Sequence, residues 1–447
     1  MEMTPLDAWI ARRIEQTGNT LHREALERFQ LNALNSVLEY ACHCSPFYRR
    51  HLANAPKSLT ALSQWADQPL LSDEELRAYG QDMVCTSMGD ISRIVTLYTS
   101  GSTGDPKRLY FTDPDLEHII DFFRIGIPPI VGNGTSLVTL MPGSRPATVG
   151  DLIDKALSHI EIDCACYGFL TDPQDVWEFI LAHKANCLVG LPSQLLALAR
   201  WAIATGKISE SPVMSVLVSG EPAPLWLTHE IENVFSCPVY VHYGMTETGF
   251  GGAVECAAHD GLHIREADLY LEVIDPVSAR ALDIGDVGEI VVTTLNRQGM
   301  PLIRYRTGDF ARLLPGTCSC GSTVQRLERV RSRGDANADA TRGVELGAID
   351  AALLTHPDIV TFVPTLLLER DRARLCLDMA SQRRDNIFER DIYERLRGIP
   401  ELARRFESKE LSLELQYVDA STCFKVMPAK RRLFVSYDYK ENDNASN

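Results

Sequence analysis

The chain has 447 residues, 45% hydrophobic and 23% charged, with a formal net charge of −16. That length exceeds one ordinary core, and the acidic balance excludes the clustered Lys and Arg surface that nucleic-acid backbones require. No apolar run is long enough to span a bilayer and residues 1–15 are too polar for a secretory signal. The expectation is therefore a cytoplasmic protein with neither nucleic acid nor membrane as partner, whose twelve cysteines are thiols or metal ligands rather than disulfides.

In chain order, the first 70 residues read as helical. Leu34, Val37, Leu38 and Ala41 keep the spacing of one helix face, and Ser45-Pro46 stops it. A β-branched run over 94–98 reads as a strand that empties into Thr99, Ser100, Gly101, Ser102, Thr103, Gly104, Asp105, Pro106 and Lys107. Glycines there permit a concave nest of backbone N–H groups and hydroxyls aimed at one anion, with phosphate the natural guest. Asp105 and Pro106 separate the last glycine from the lysine, so the common P-loop spacing is not met. Residues 108–111 read as a second strand, which leaves a polar hairpin loop as the plain alternative.

Strand-like runs then alternate with helical ones. Residues 136–141 end at Pro142-Gly143, 187–191 precede a helix near Pro192-Ser193, 213–218 end at Ser219-Gly220-Glu221-Pro222, and 238–242 run into Tyr243-Gly244. This alternation predicts an α/β fold with largely parallel sheets flanked by helices, its ligands beyond the carboxyl ends of the strands. From about residue 270 short strands such as 288–293 suggest a β-rich subdomain over about 255–330. The polar stretch 331–335 marks a boundary between residues 1–334 and a smaller α+β unit, 335–447. Tyr243-Gly244-Met245-Thr246-Glu247 follows a strand, and a carboxylate just past a hydroxyl suits Mg²⁺.

The order Thr-Ser-Gly-Ser-Thr-Gly-x-Pro-Lys over 99–107 resembles the phosphate-binding loop of the adenylate-forming superfamily: acyl-CoA synthetases, luciferases and adenylation domains. Tyr243 to Glu247 is similar to its second motif, and Arg304-Tyr305-Arg306-Thr307-Gly308-Asp309 to its third. The resemblance implies that Thr246 lies near the α-phosphate, Glu247 holds magnesium, Ser219, Gly220, Glu221, Pro222, His242, Tyr243 and Gly244 border the nucleotide, and Asp309 accepts both ribose hydroxyls. It also places a hinge at Ser332-Arg333-Gly334-Asp335 before a mobile C-terminal lid. Lys430 of Pro428-Ala429-Lys430-Arg431-Arg432 falls where the family keeps its catalytic lysine, with Lys425 as the alternative.

Ser45-Pro46-Phe47-Tyr48, Glu255-Cys256, Gly261-Leu262-His263 and Pro301-Leu302-Ile303-Arg304-Tyr305 resemble the phenylacetate–CoA ligase branch. Some of its members carry a structural zinc, and Cys256, His263, Cys318 and Cys320 offer a closed tetrahedral set, with His259 as rival ligand. The implied activity is ATP-dependent conversion of a small carboxylic acid, aryl by family habit, to an acyl-adenylate and then a coenzyme A thioester. Loading of a carrier-protein or protein thiol, and an inactive nucleotide-binding homologue, are the alternatives. Residues 141–169 and 244–252 are expected to wall the acyl pocket, with Arg145 available to a polar substituent or simply to a phosphate. Family members are often homodimers.

Overall fold

The computed structural model describes residues 3–16, 18, 20–97, 106–331, 344–369, 372–427 and 429–437. Thr99, Ser100, Gly101, Ser102, Thr103, Gly104, Arg333 and Asp335 lie outside the described residues. Near the N-terminus, helix Arg23–Cys44 buries Leu26, Gln30, Leu34, Val37, Leu38 and Ala41 along one stripe. It ends at Ser45, whose Oγ accepts the Tyr48 N–H at 3.1 Å and caps the next helix, Pro46–His51.

Strands β1 (Ile91–Leu97) and β2 (Lys107–Thr112) pair antiparallel with Leu97 opposite Lys107, the last residue of the first motif. The main sheet begins with β3 (Ser136–Thr139), β4 (Asp163–Cys166), β5 (Cys187–Gly190), β6 (Ser215–Ser219) and β7 (Val239–Tyr243). These run parallel in the order β4-β3-β5-β6-β7. Helices pack on both faces. Val138, Leu188, Val216 and Val218 belong to one core with helices Pro173–Ala182, Pro192–Ala204 and Leu225–Phe235, while Leu137, Val189 and Leu217 belong to another with Asp113–Gly126 and Val149–Leu157. Burial on both faces explains why these strands read as continuous apolar runs rather than alternations.

The segment expected as one β-rich subdomain divides between two sheets. After β8 (Ala253–Glu255) and β9 (Leu262–Ile264), β10 (Leu269–Ile274), β11 (Gly288–Thr294) and β12 (Tyr305–Ala311) form a separate three-stranded sheet. By contrast β8, β9, β13 (Leu313–Leu314) and β14 (Arg326–Leu327) extend the main sheet antiparallel from β7. Toward the C-terminus, β15 (Ile359–Leu368), β16 (Ala373–Ser381), β17 (Leu411–Tyr417) and β18 (Phe434–Tyr437) form a four-stranded sheet in the order β17-β16-β15-β18. Arg200, on helix Pro192–Ala204, donates to the Ile359 carbonyl at 2.9 Å and ties this sheet to the larger one. Among the described residues no helix is long and apolar enough to cross a membrane.

Candidate active site

The loops after β6 and β7 meet at the carboxyl edge of the parallel strands, as expected for an open α/β sheet. Ser219 Oγ lies 2.8 Å from His242 Nδ1. Burial first, and then the charge of Arg265, push the His242 imidazole down to about 4, so it is neutral at physiological pH. Position 244 must be glycine, because a Cβ there would collide with the Phe250 carbonyl oxygen.

Three sequence-distant motifs are bonded together here. Lys107, at the end of the first, forms a buried ion pair with Glu247 of the second, and its Nζ lies 3.1 Å from the Tyr305 hydroxyl at the head of the third. Tyr243 donates its hydroxyl to Asp309 Oδ2 at 3.0 Å. Burial and the neighbouring Asp309 carboxylate raise this phenol, which keeps it protonated. Asp73 completes the cluster, 2.7 Å from Lys107 Nζ and accepting the Tyr305 hydroxyl at 2.9 Å. Burial alone would raise the Asp73 carboxyl, but bonds from Lys107, Arg77 and Tyr305 bring it down to about 2.

Beside this cluster is an apolar cavity of about 340 Å³. Phe122 and Phe123, Met141, Phe169, and Val95 and Leu97 of β1 wall it, and Ser219, Gly220, His242, Gly244, Thr246 and Lys430 border it. The expected pocket segments, 141–169 and 244–252, both contribute, whereas Arg145 is not among the lining residues. Lys430 comes from the C-terminal unit; the alternative, Lys425, sits exposed on helix Ala420–Val426 away from the cavity. Two cations, Arg93 and Lys430, and no acidic side chain line the cavity among the described residues.

Glu221 and Pro222 are not among the residues that line this cavity. Glu221 and Pro222 line a second cleft, where the Glu221 carboxylate accepts the Ser193 hydroxyl at 2.6 Å and the Arg431 backbone N–H at 2.6 Å. Sequence reasoning missed Asp73 and Arg93. Ser72 and Glu75 form a capping box that marks the helix Asp73–Tyr79, yet nothing local signals that Asp73 meets a lysine 34 positions away.

The proposed metal ligands do come together. Ligand atoms of Cys256, His263, Cys318 and Cys320 lie within 4.8 Å of one another, all four residues buried, with Cys256 Sγ to Cys318 Sγ 3.8 Å and Cys320 Sγ to His263 Nε2 3.7 Å. Bonds of ~2.3 Å to sulfur and ~2.0 Å to nitrogen around a tetrahedral ion imply sulfur pairs ~3.8 Å apart and sulfur–nitrogen pairs ~3.5 Å apart. Antiparallel pairing of β14 with β9, which sets Arg326 opposite His263, brings the Cys318–Cys320 turn over the strand. The rival His259 is elsewhere: its Nδ1 lies 3.2 Å from Glu255 and its ring 4.8 Å from that of Tyr240.

Comparison with known proteins agrees with this geometry. The family described as AMP-binding enzyme matches residues 50–296. The phenylacetate–coenzyme A ligase of Pseudomonas putida is 29% identical over 322 residues, covering 70% of this chain and 71% of the relative. That of Thermus thermophilus is 28% identical over 356 residues, covering 76% and 78%. Among solved structures, 2-hydroxyisobutyryl-CoA ligase in the postadenylation state superposes with a TM-score of 0.71 at 20% identity, covering 92% of this chain and 89% of that one. The same ligase with 2-HIB-AMP and CoA in the thioesterification state gives 0.64 at 21% identity, covering 93% and 91%. With a family match across more than half its length and a shared fold across nearly all of it, the chain belongs to the AMP-binding enzyme family.

Proposed function

We propose that the protein is an AMP-forming acid–thiol ligase. A small apolar carboxylate attacks the α-phosphate of ATP and releases pyrophosphate; the acyl-adenylate then passes its acyl group to the thiol of coenzyme A and releases AMP. One observation supports this most: Thr246 and Lys430 border a single apolar cavity directly beside the bonded cluster of Lys107, Glu247 and Tyr305. An apolar wall with two cations, Arg93 and Lys430, beside it fits an acid whose body is hydrophobic and whose carboxylate reacts. The relatives named for phenylacetate make an aryl acid the first to try.

In this reading Lys430 neutralises charge as it gathers between carboxylate and α-phosphate. Lys107, together with residues 99–104, grips the outer phosphates. Glu247 would hold Mg²⁺, which supplies positive charge to the phosphate oxygens; a buried carboxylate now paired to a lysine is a hard ligand suited to that ion. His242, neutral and set by Ser219, shapes the rim of the acyl pocket. Residues 335–447 act as the lid, hinged near Asp335, that brings Lys430 in for adenylation and withdraws it for thioester formation. Cys256, His263, Cys318 and Cys320 hold a structural zinc.

The test is carboxylate-dependent exchange of labelled pyrophosphate into ATP with phenylacetate, benzoate, substituted aryl acids and short aliphatic acids, followed by thioester analysis. Exchange with at least one hydrophobic acid and a CoA thioester as product are expected. Exchange with none would overturn the proposal, and a thioester formed only on a carrier protein would reassign the acceptor. A Tyr243→Phe variant tests the ribose assignment. Loss of the hydroxyl that orients Asp309 removes a charged hydrogen bond of about 1.5 kcal/mol, so the KM for ATP should rise roughly tenfold with kcat little changed; an unchanged KM would remove Asp309 from that role.

A further inference from the structure

Lys430 lies in a short connection between helix Ala420–Val426 and β18, with its own side chain exposed. Nothing about a lysine on such a connection fixes where its ammonium rests, because the side chain has four rotatable bonds. The next residue, however, is held from two directions. Arg431 sends its guanidinium back into the C-terminal unit, with Nη2 2.7 Å and Nε 2.9 Å from the two oxygens of Asp350. Its Nη1 donates to the Phe362 carbonyl at 3.1 Å, and the guanidinium lies 4.5 Å from the centre of the Phe362 ring. The arginine and Asp350 side chains are only 8% and 15% exposed, so this planar, two-pronged pair is a well-shielded anchor.

The backbone of the same residue crosses to the other unit. Its N–H donates at 2.6 Å to one oxygen of Glu221, on the loop after β6, while the other Glu221 oxygen accepts the Ser193 hydroxyl at 2.6 Å. Glu221 is thus fixed by the start of helix Pro192–Ala204 and presents one lone pair to the lysine connection. We infer that Glu221 is a positioning residue for adenylation: by binding the Arg431 backbone N–H it sets Lys430 at the rim of the acyl cavity, and releasing that one bond lets the connection leave without breaking the Arg431–Asp350 anchor. The inference rests on the proposed role of Lys430, and it gives Glu221 a task other than bordering adenine. The bond is made to a backbone donor, so it reports the position of the connection whatever side chain stands at 431.

Hydrogen exchange on the full chain tests the contact without any substrate. Peptides covering 429–437 should exchange faster in Glu221→Ala than in the parent protein, while peptides covering 373–381 in β16 stay unchanged. Glu221→Gln, whose amide oxygen can still accept the N–H, should restore most of the protection. Unchanged exchange at 429–437 in Glu221→Ala overturns the inference, and so does a matching loss in β16, which would mean that Glu221 merely supports the whole unit. The two half-reactions are the second readout. With phenylacetate, pyrophosphate exchange should fall roughly 10- to 100-fold in Glu221→Ala, the worth of a hydrogen bond to a charged acceptor, while thioester formation from supplied phenylacetyl-adenylate and CoA falls by less than about threefold. Equal losses in both halves would also overturn it. If the parent protein exchanges no pyrophosphate with any acid, the ligase reading fails by itself, and the exchange measurement still decides whether Glu221 holds the connection.

Discussion

Replacing Lys430 with alanine is expected to lower carboxylate-dependent pyrophosphate exchange by about 10²- to 10³-fold, the usual cost of deleting one charge-stabilising group from a transition state. Lys430 is exposed in the C-terminal connection yet borders the apolar cavity, so its loss removes a charge without opening a hole in a core. Folding should be intact, and thermal unfolding should coincide with that of the parent protein. The neighbouring cluster offers no substitute, because Lys107 is occupied by Glu247 and Asp73, and the other cation lining the cavity, Arg93, stands on β1. Lys425→Ala should keep its exchange activity, since that residue lies on a helix away from the cavity. The decisive pattern is a loss confined to adenylation, with thioester formation from supplied acyl-adenylate largely kept. Lys430→Ala with exchange within twofold of the parent would remove this lysine from the chemistry.

The second large effect is expected from the cysteine–histidine cluster. Protein purified without chelator should contain one zinc per chain, and Cys318→Ser should lose it. Three thiols and an imidazole brought within 4.8 Å in a buried site make a closed set of the kind that suits zinc, and a zinc bound by such a set contributes about 10–16 kcal/mol in small domains. If a quarter of that, about 3 kcal/mol, acts on unfolding of this chain, the thermal midpoint should drop roughly 3–4 °C on mutation or strong chelation. The loss should reach the N-terminus as well, because the turn bearing Cys318 and Cys320 continues into Thr323, whose N–H donates to Asp7 at 3.3 Å and whose hydroxyl donates to the Leu21 carbonyl at 3.2 Å. Metal analysis showing no zinc, with a midpoint insensitive to chelator, would leave the four residues as packed thiols and a core histidine.

Much of the site was legible in the chain itself, for physical reasons that differ by segment. The parallel strands could be read because double-faced burial forces apolar runs such as Ser215–Ser219, and the loops after them because glycine, proline and hydroxyl residues interrupt those runs. The motif around Glu247 stood out only through its resemblance to the adenylate-forming superfamily, because a carboxylate in a strand-end loop is by itself most simply a solvated side chain. The cysteine–histidine set was a choice among several Cys-x-Cys pairs, and the sequence by itself left His259 open.

What the sequence determined alone was therefore the α/β alternation, the identity of three chemistry-bearing segments and the residue types needed to activate an acid. Tertiary structure decided which of them touch. That Lys107 is held by Asp73 and Glu247, that Tyr243 rather than a neighbour grips Asp309, that His263 and not His259 joins the cysteines, and that Glu221 binds the Lys430 connection are all pairings across 34 to 210 positions of chain. Local spacing fixes which face of a strand or helix a residue occupies, but contacts between elements depend on how whole sheets stack, and that is set by the summed burial of cores to which no single motif contributes more than a few side chains.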